Sequence, residues 1–282
     1  MQLAGTSPSN FGSELMASER ISTVLLCHAE EPLHTEGVAR WLNATTELRG
    51  IIRIHDSRRT FWRRVKREWR RSGTLGLADV FAFRVYYRLE RGSYDAAWER
   101  TALDALEREW PAVPASVPVL DTDRPNGKEC EAFVRERAPD AVVALCKHIL
   151  QPRIFEIPRA GTLIFHDGIA PEYRNAHGCF WAMAKGDFDR VGLTVLRADR
   201  GIDTGPIFGY FRYGYDPVRQ SYVEISNRVL LDNLAGITDL LRRIVAGEAP
   251  AIPSDGKASG VWGQPRLTTY LGLKRRLRTG RR

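Results

Sequence analysis

The sequence predicts an α/β fold, a mainly parallel sheet flanked by helices, and three observations carry that prediction. Short continuous apolar runs, ISTVLLC at residues 21–27 and AVVAL at residues 141–145, have the length and β-branched content of strands buried on both faces. Stretches with apolar residues at helical spacing lie between such runs, so strand and helix patterns alternate along the chain. The residues richest in chemistry, His148 and His166 among them, follow directly after apolar runs. Open α/β sheets bind ligands in that place, at the carboxyl ends of strands.

The elements follow in order. Residues 21–27 form a first strand, a helix lies near residues 35–43, and residues 50–54 suit a second strand. The stretch RRTFWRRVKREWRR, residues 58–71, sets Phe61, Val65 and Trp69 at helical spacing with Trp62 beside them, and LADVFAFRVYYRLERG continues the pattern. Residues 58–91 are therefore expected as a basic helical insertion. Residues 117–120 read as a strand, residues 129–136 as a helix, Pro139-Asp140 as a turn, and residues 141–145 as a strand ending at Cys146-Lys147-His148-Ile149-Leu150. Leu163 to Phe165 is a strand that delivers His166. Phe180, Trp181, Met183 and Ala184 mark a helix, and residues 191–196 alternate toward a strand leading into DRGIDTGP at residues 199–206. Residues 208–213 form another strand. Residues 221–245 read as one long amphipathic helix with Ile225, Val229, Leu234, Ile237, Leu240, Leu241 and Ile244 on its apolar side, stopped by GEAP. The expected organisation is a flexible leader at residues 1–20, a catalytic domain over residues 21–250, and a C-terminal arm with a basic tail over residues 251–282, Trp262, Pro265 and Tyr270 wrapping back onto the domain.

Composition narrows the classes. At 43% hydrophobic and 27% charged, the chain has the balance of a globular protein able to bury a full core. Cys27, Cys130, Cys146 and Cys179 show no metal-ligand spacing and no disulfide framework, which predicts a reducing, cytoplasmic setting and no metal. The first residues lack a signal-peptide pattern, and no run approaches the length of a membrane span. The net charge of +8 is concentrated at residues 58–71 and at residues 274–282. A basic helix with an aromatic stripe suits an anionic membrane surface, making the protein peripheral to the membrane, or a phosphate. The bland reading packs the stripe on the domain and leaves the arginines in water. Nucleic acid is the less favoured partner for this cluster, and a homodimer is compatible with the sequence.

The stretch from Gly161 to Ile207 places a histidine, a rigid turn and a glycine-flanked aspartate close together. His166 and Asp203 each follow a strand, so a sheet can bring imidazole and carboxylate into contact. A carboxylate beside an imidazole fixes its tautomer and supports proton transfer near neutral pH. Between the two lie Pro171, Tyr173, Arg174, Asn175 and His177.

Gly161, His166, Pro171, Tyr173, Arg174, Gly192, Thr194, Asp199, Gly201, Asp203, Thr204, Gly205 and Pro206 fall, in order and at matching spacing, on the pattern of the formyltransferases that use 10-formyltetrahydrofolate. The segment resembles the catalytic half of that family, which includes the glycinamide ribonucleotide, methionyl-tRNA and sugar N-formyltransferases. The resemblance implies a Rossmann-like fold, 10-formyltetrahydrofolate as donor and a small-molecule amine, an amino sugar or a natural-product intermediate, as acceptor. It implies His166 and Asp203 as the catalytic pair. It also implies Lys147, His148, Ile149 and Leu150, with Asp199, Gly201 and Ile202, as the folate-binding residues. For Ile149 and Leu150, ordinary packing at a strand end is an equal reading.

One position departs from the family. Its asparagine, two residues before the histidine, is Ile164 here, which cannot donate a hydrogen bond. Losing one oxyanion donor typically costs ~2.7–4 kcal/mol of barrier. Asn175 or His177 is expected to replace that donor, or else both serve only their own loop. Tyr173 and Arg174 are expected to brace the loop or touch the acceptor. The departure keeps other outcomes open: hydrolysis of formyl-folate, transfer of another one-carbon or carbamoyl-type group, or folate binding without turnover. The short stretch left after residue 250 counts against a tRNA acceptor.

Overall fold

The computed structural model describes residues 20–254 and 256–279. The expected leader, apart from Arg20, and the last three residues of the basic tail lie outside the described residues. Seven strands form the main sheet: β1 (Ser22–His28), β2 (Glu47–Ile54), β3 (Val119–Thr122), β4 (Ala141–Leu145), β5 (Thr162–His166), β7 (Leu193–Arg197) and β8 (Ile207–Phe211). Their order is β3-β2-β1-β4-β5-β7-β8. The first five run parallel, and β7 is antiparallel to both β5 and β8. The strand order reverses between β1 and β4, and ligands of open α/β sheets bind at such a reversal.

Burial on both faces explains why β4 is apolar throughout and β1 is apolar from Val24 to Cys27. Leu25 and Cys27 of β1, with Val143 of β4, join one core layer, whereas Val24, Leu26, Val142 and Ala144 join the layer on the other face. The first layer is closed by a helical stretch that opens as a π-helical turn, Leu33–Val38, and continues as α1 (Ala39–Thr45). It is completed by α5 (Gly178–Lys185), α6 (Tyr222–Leu231) and α7 (Leu234–Val245). Trp41, fully buried, donates its indole N–H to Thr238 Oγ1 at 3.0 Å and ties α1 to α7. Burying such a side chain contributes on the order of 1.5–3 kcal/mol. The second layer is covered by α3 (Lys128–Arg137) and the short α4 (Pro152–Phe155) through Cys130, Val134, Ile154 and Phe155.

Three expectations are corrected. The single helix over residues 221–245 is two, α6 and α7, broken at Asp232-Asn233. Asn233 donates its side-chain amide to the carbonyls of Val229 and Arg212, at 3.0 and 3.2 Å, in competition with continued helix. The basic helix α2 runs from Arg58 to Glu109, well past residue 91, and is kinked at Gly73. Gly73 has φ 70 and ψ −176, a backbone region open essentially to glycine alone. The C-terminal arm is only partly extended. Its strand β9 (Val261–Trp262) pairs in parallel with β6 (Arg174–Asn175), and α8 (Leu267–Thr279) follows. Tyr270 and Leu273, one helical turn apart, are buried; the Tyr270 ring lies 5.5 Å from Phe83 of α2. No helix among the described residues is long and apolar enough to cross a membrane.

Candidate active site

His166 is the last residue of β5, and Ile164, two residues earlier, shares its face because strand side chains alternate. The loop after β5 folds back so that His166 Nε2 lies 2.6 Å from the carbonyl oxygen of Tyr173. A carbonyl only accepts, so Nε2 carries the proton in this contact and Nδ1 is the nitrogen left for exchange. Nδ1 faces Asp203 Oδ2 at 3.8 Å. Asp203 stands in the loop between β7 and β8, and its Oδ2 also accepts the backbone N–H of Asn175 at 2.7 Å.

Close backbone approach makes this loop possible. A Cβ on Gly168 would lie 2.6 Å from the Tyr173 carbonyl oxygen and 2.9 Å from His166 Nε2, and one on Gly178 would lie 2.5 Å from the Asp167 carbonyl oxygen. Asn175, His177 and Asp203 adopt φ of 83, 56 and 50, a left-handed conformation that side chains rarely take. Such backbone strain, of order 1–3 kcal/mol for each residue, persists where surrounding contacts hold it and gathers at functional sites. Asp199 fixes the second loop: its carboxylate accepts from the Gly201 N–H at 2.9 Å and from the Thr204 hydroxyl at 2.8 Å.

These loops form one side of a cavity of about 680 Å³. Lys147, His148, Ile149, Leu150, Asp199, Gly201, Ile202 and Asp203 all line it, with Asn175, His177 and Ile164. His166 is not among the lining residues; its side chain is 4% exposed and meets the cavity through Asp203. Tyr173 and Arg174 also stand outside the lining. The Tyr173 hydroxyl donates to Asp187 at 3.0 Å while its ring stacks on Trp262, and Arg174 donates to the Ile202 carbonyl at 3.0 Å. Both brace the loops. Asn175 donates its side-chain amide to the Trp262 carbonyl, which ties β6 to β9.

Burial sets the electrostatics of the wall. His148 is pushed down to about 4, first by burial and then by the nearby charge of His28, whose ring lies 5.3 Å away. Both His148 ring nitrogens are shielded from solvent and have no protein partner. His177 is likewise pushed down to about 4, mainly by burial with Lys147 adding to it, so its imidazole is neutral at pH 7. Burial raises Cys146 to about 12, which makes it an unreactive thiol rather than a nucleophile. Burial alone would raise Glu31, but its hydrogen bond to His34 and the charge of Lys147, 2.8 Å away, hold it well below the usual carboxylate range. His28, at the end of β1, accepts the Lys147 backbone N–H at 3.0 Å and fixes the loop after β4.

On the opposite wall, contributed by the basic helix, no residue was picked out from the sequence as lining the site. Phe61, Arg64, Glu68 and Arg71, before the kink in α2, face the loops together with Phe81 and Arg84 after it. The spacing of three and four between Phe61, Arg64, Glu68 and Arg71 marks one helix face and was available as a signal; which way that face turns was not. Arg64 pairs with Asp56 and keeps one buried guanidinium nitrogen without a partner. Arg84 donates to Gln264 at 3.2 Å and Arg71 to the Val261 carbonyl at 3.2 Å, so the arm holds this wall in place.

Residues 103–238 match the family described as formyl transferase. The methionyl-tRNA formyltransferase of Sorangium cellulosum is 31% identical over 151 residues, which cover 52% of this chain and 47% of that one. The chain spans about half the length, or less, of the first curated relatives it matches. Among solved structures, a sugar N-formyltransferase from a Shewanella species is similar with a TM-score of 0.51 and 11% identity, covering 90% of this chain and 86% of that one. A phosphoribosylglycinamide formyltransferase from Anaplasma phagocytophilum is similar with a TM-score of 0.50 and 13% identity, covering 88% and 96%. These two likenesses are likenesses of fold.

Proposed function

From the premise that residues 103–238 belong to the formyl transferase family, we propose that this chain transfers a formyl group from 10-formyltetrahydrofolate to the amine of a small-molecule acceptor. The observation that carries the reading is the pair formed by His166 Nδ1 and Asp203 Oδ2 at 3.8 Å, with Asp203 on the wall of a cavity whose volume is that of a small-molecule site.

The cavity suits a bicyclic heterocycle with hydrogen-bonding edges. His148 offers two buried ring nitrogens without partners, and Ala144, Leu150, Ile164 and Ala198 supply apolar walls. Lys147, His148, Ile149 and Leu150 would hold the folate from one side, and Asp199, Gly201 and Ile202 from the other. The folate, when bound, supplies the formyl carbon.

The acceptor amine must be uncharged to attack, so its proton needs a receiver. Asp203 stands between the cavity and His166, and its Oδ1 has no protein partner among the described residues. A proton collected at that carboxylate passes to Nδ1, while the Tyr173 carbonyl holds the ring by Nε2–H, and the same proton is then available to the donor nitrogen released when its bond to the formyl carbon breaks. The resulting imidazolium and carboxylate stabilise each other. Ile164 lines the cavity on the same face as His166 and donates nothing. Asn175, with one amide N–H beyond the one given to Trp262, and neutral His177 are the donors placed to hold a developing oxyanion.

The test is turnover of 10-formyltetrahydrofolate with a panel of amines, alongside titration with a non-transferable folate analogue. Formylated product that is lost in His166→Ala and Asp203→Ala, with analogue binding retained, is the expected result. Absence of analogue binding would overturn the donor. The half-buried apolar side chain of Ile164 on the cavity wall also favours a second reading, hydrolysis of formyl-folate, which would appear as formate release without any acceptor.

A further inference from the structure

Nine of the fourteen exposed large apolar side chains among the described residues fall on α2. Trp62 is 66% exposed and Trp69 49%; about two turns apart, they share a face on the far side of the helix from the cavity-lining Arg64, Glu68 and Arg71. Residues 58–71 hold eight lysines and arginines against one acid, Glu68, and that acid lines the cavity. Arg58, Lys66 and Arg70, exposed around the tryptophans, make no ion pair among the described residues. Past the Gly73 kink, Leu75, Val85 and Leu89 are 87%, 61% and 83% exposed and, by helical spacing, share one face of the second half of α2.

We propose that α2 docks this protein on an anionic lipid bilayer, Trp62 and Trp69 entering the headgroup layer while the surrounding arginines and Lys66 meet lipid phosphates. Tryptophan prefers that layer because its ring is apolar and its N–H is polar. An interfacial helix combines such anchors with a basic rim, and its binding grows with both buried apolar area and surface charge. A second copy of the chain is a poorer occupant, because pairing this face with itself would bring two such cationic clusters together without an acid to separate them. Docking by this face would bring the helix that walls the cavity to the lipid surface, where an amine carried on an amphiphile is available to the site.

The test is flotation of the full chain with vesicles of phosphatidylcholine alone and of phosphatidylcholine mixed with phosphatidylglycerol. Binding to the mixed vesicles only, weakened about tenfold or more by Trp62→Ala with Trp69→Ala while the melting temperature and folate-analogue binding stay unchanged, supports the proposal. Failure to float with the mixed vesicles overturns it. Flotation that high salt abolishes and that ignores both tryptophan substitutions also overturns it, as does a solution dimer that protects Trp62 from quenching. None of these readouts depends on turnover, so the formyl-transfer reading stands or falls separately.

Discussion

The two walls that face each other across the cavity are held in different ways. The sheet wall, from β4, β5 and the loop at residues 198–206, is tied mainly through backbone groups: Lys147 N–H on His28, Asn175 N–H on Asp203, Gly201 N–H on Asp199. The helical wall is tied through side chains: Arg64 on Asp56, Arg84 on Gln264, Arg71 on the Val261 carbonyl. The sheet wall lies inside the stretch that matches the formyl transferase family, and the part of α2 that faces it lies outside. A wall fixed through its backbone keeps reacting groups at set distances whatever surrounds it. A wall fixed through side chains can exchange them without refolding. Under the proposed function, chemistry falls to the first wall and acceptor choice to the second.

The sharpest way to break that division is at His166. His166→Ala is expected to lower kcat by about 10²–10⁴-fold, the usual worth of a positioned acid–base group, with folate-analogue affinity nearly unchanged. A comparable loss of kcat in Arg67→Ala, whose side chain also lines the cavity from the helical wall, would end the division. Next comes the replacement of the missing donor: Asn175→Ala combined with His177→Ala is expected to lower kcat by about 10²-fold in steady-state assays. Unchanged turnover in that double variant would assign both residues to loop structure alone.

Gly178→Ala probes how tightly the sheet wall is closed. Its methyl would meet the carbonyl oxygens of Asp167 and Tyr173 at 2.5 and 2.8 Å, so a loss of about 1–3 kcal/mol is expected in denaturant unfolding. On the helical wall, Arg84→Ala is expected to raise KM for the acceptor about tenfold, about 1.4 kcal/mol, and to leave kcat in place. A fall in kcat instead would move Arg84 to the reacting side.

The last expected effect is on the pH dependence of stability. His148 and His177 are each lowered to about 4 from an ordinary 6.5. Between those values the unfolded chain binds more protons than the folded one, so stability falls as pH drops from 6.5 toward 4. His148→Gln with His177→Gln is expected to flatten this acid limb in melting temperature against pH. An unaltered limb would place the acid sensitivity elsewhere.

Much of the sheet wall was legible in the chain. Strands β4 and β5 lie where the apolar runs put them, because a strand buried on both faces must be apolar throughout. Lys147, His148, Asp199 and Asp203 line one cavity, as residues gathered at strand ends and in one long loop can. Boundaries set by side chains competing with the backbone were not legible: the Asn233 break and the extension of α2 through residues 92–109 depend on what those residues meet. The bracing by Tyr173 and Arg174 was foreseen as one of two outcomes, and only folding chose between them.

The sequence by itself determined the βα alternation, the order of the strands along the chain, and the delivery of His166 to a strand end and Asp203 to a loop, since periodicity and turn chemistry act between near neighbours. Only the tertiary structure decided that α2 turns its Phe61, Arg64, Glu68 and Arg71 face toward the cavity and leaves Trp62 and Trp69 outside. Both faces of that helix carry aromatic and basic residues, so local pattern favours neither. The choice was made by contacts distant in sequence, the packing of Phe83 against Tyr270 and the grip of the C-terminal arm on Arg71 and Arg84.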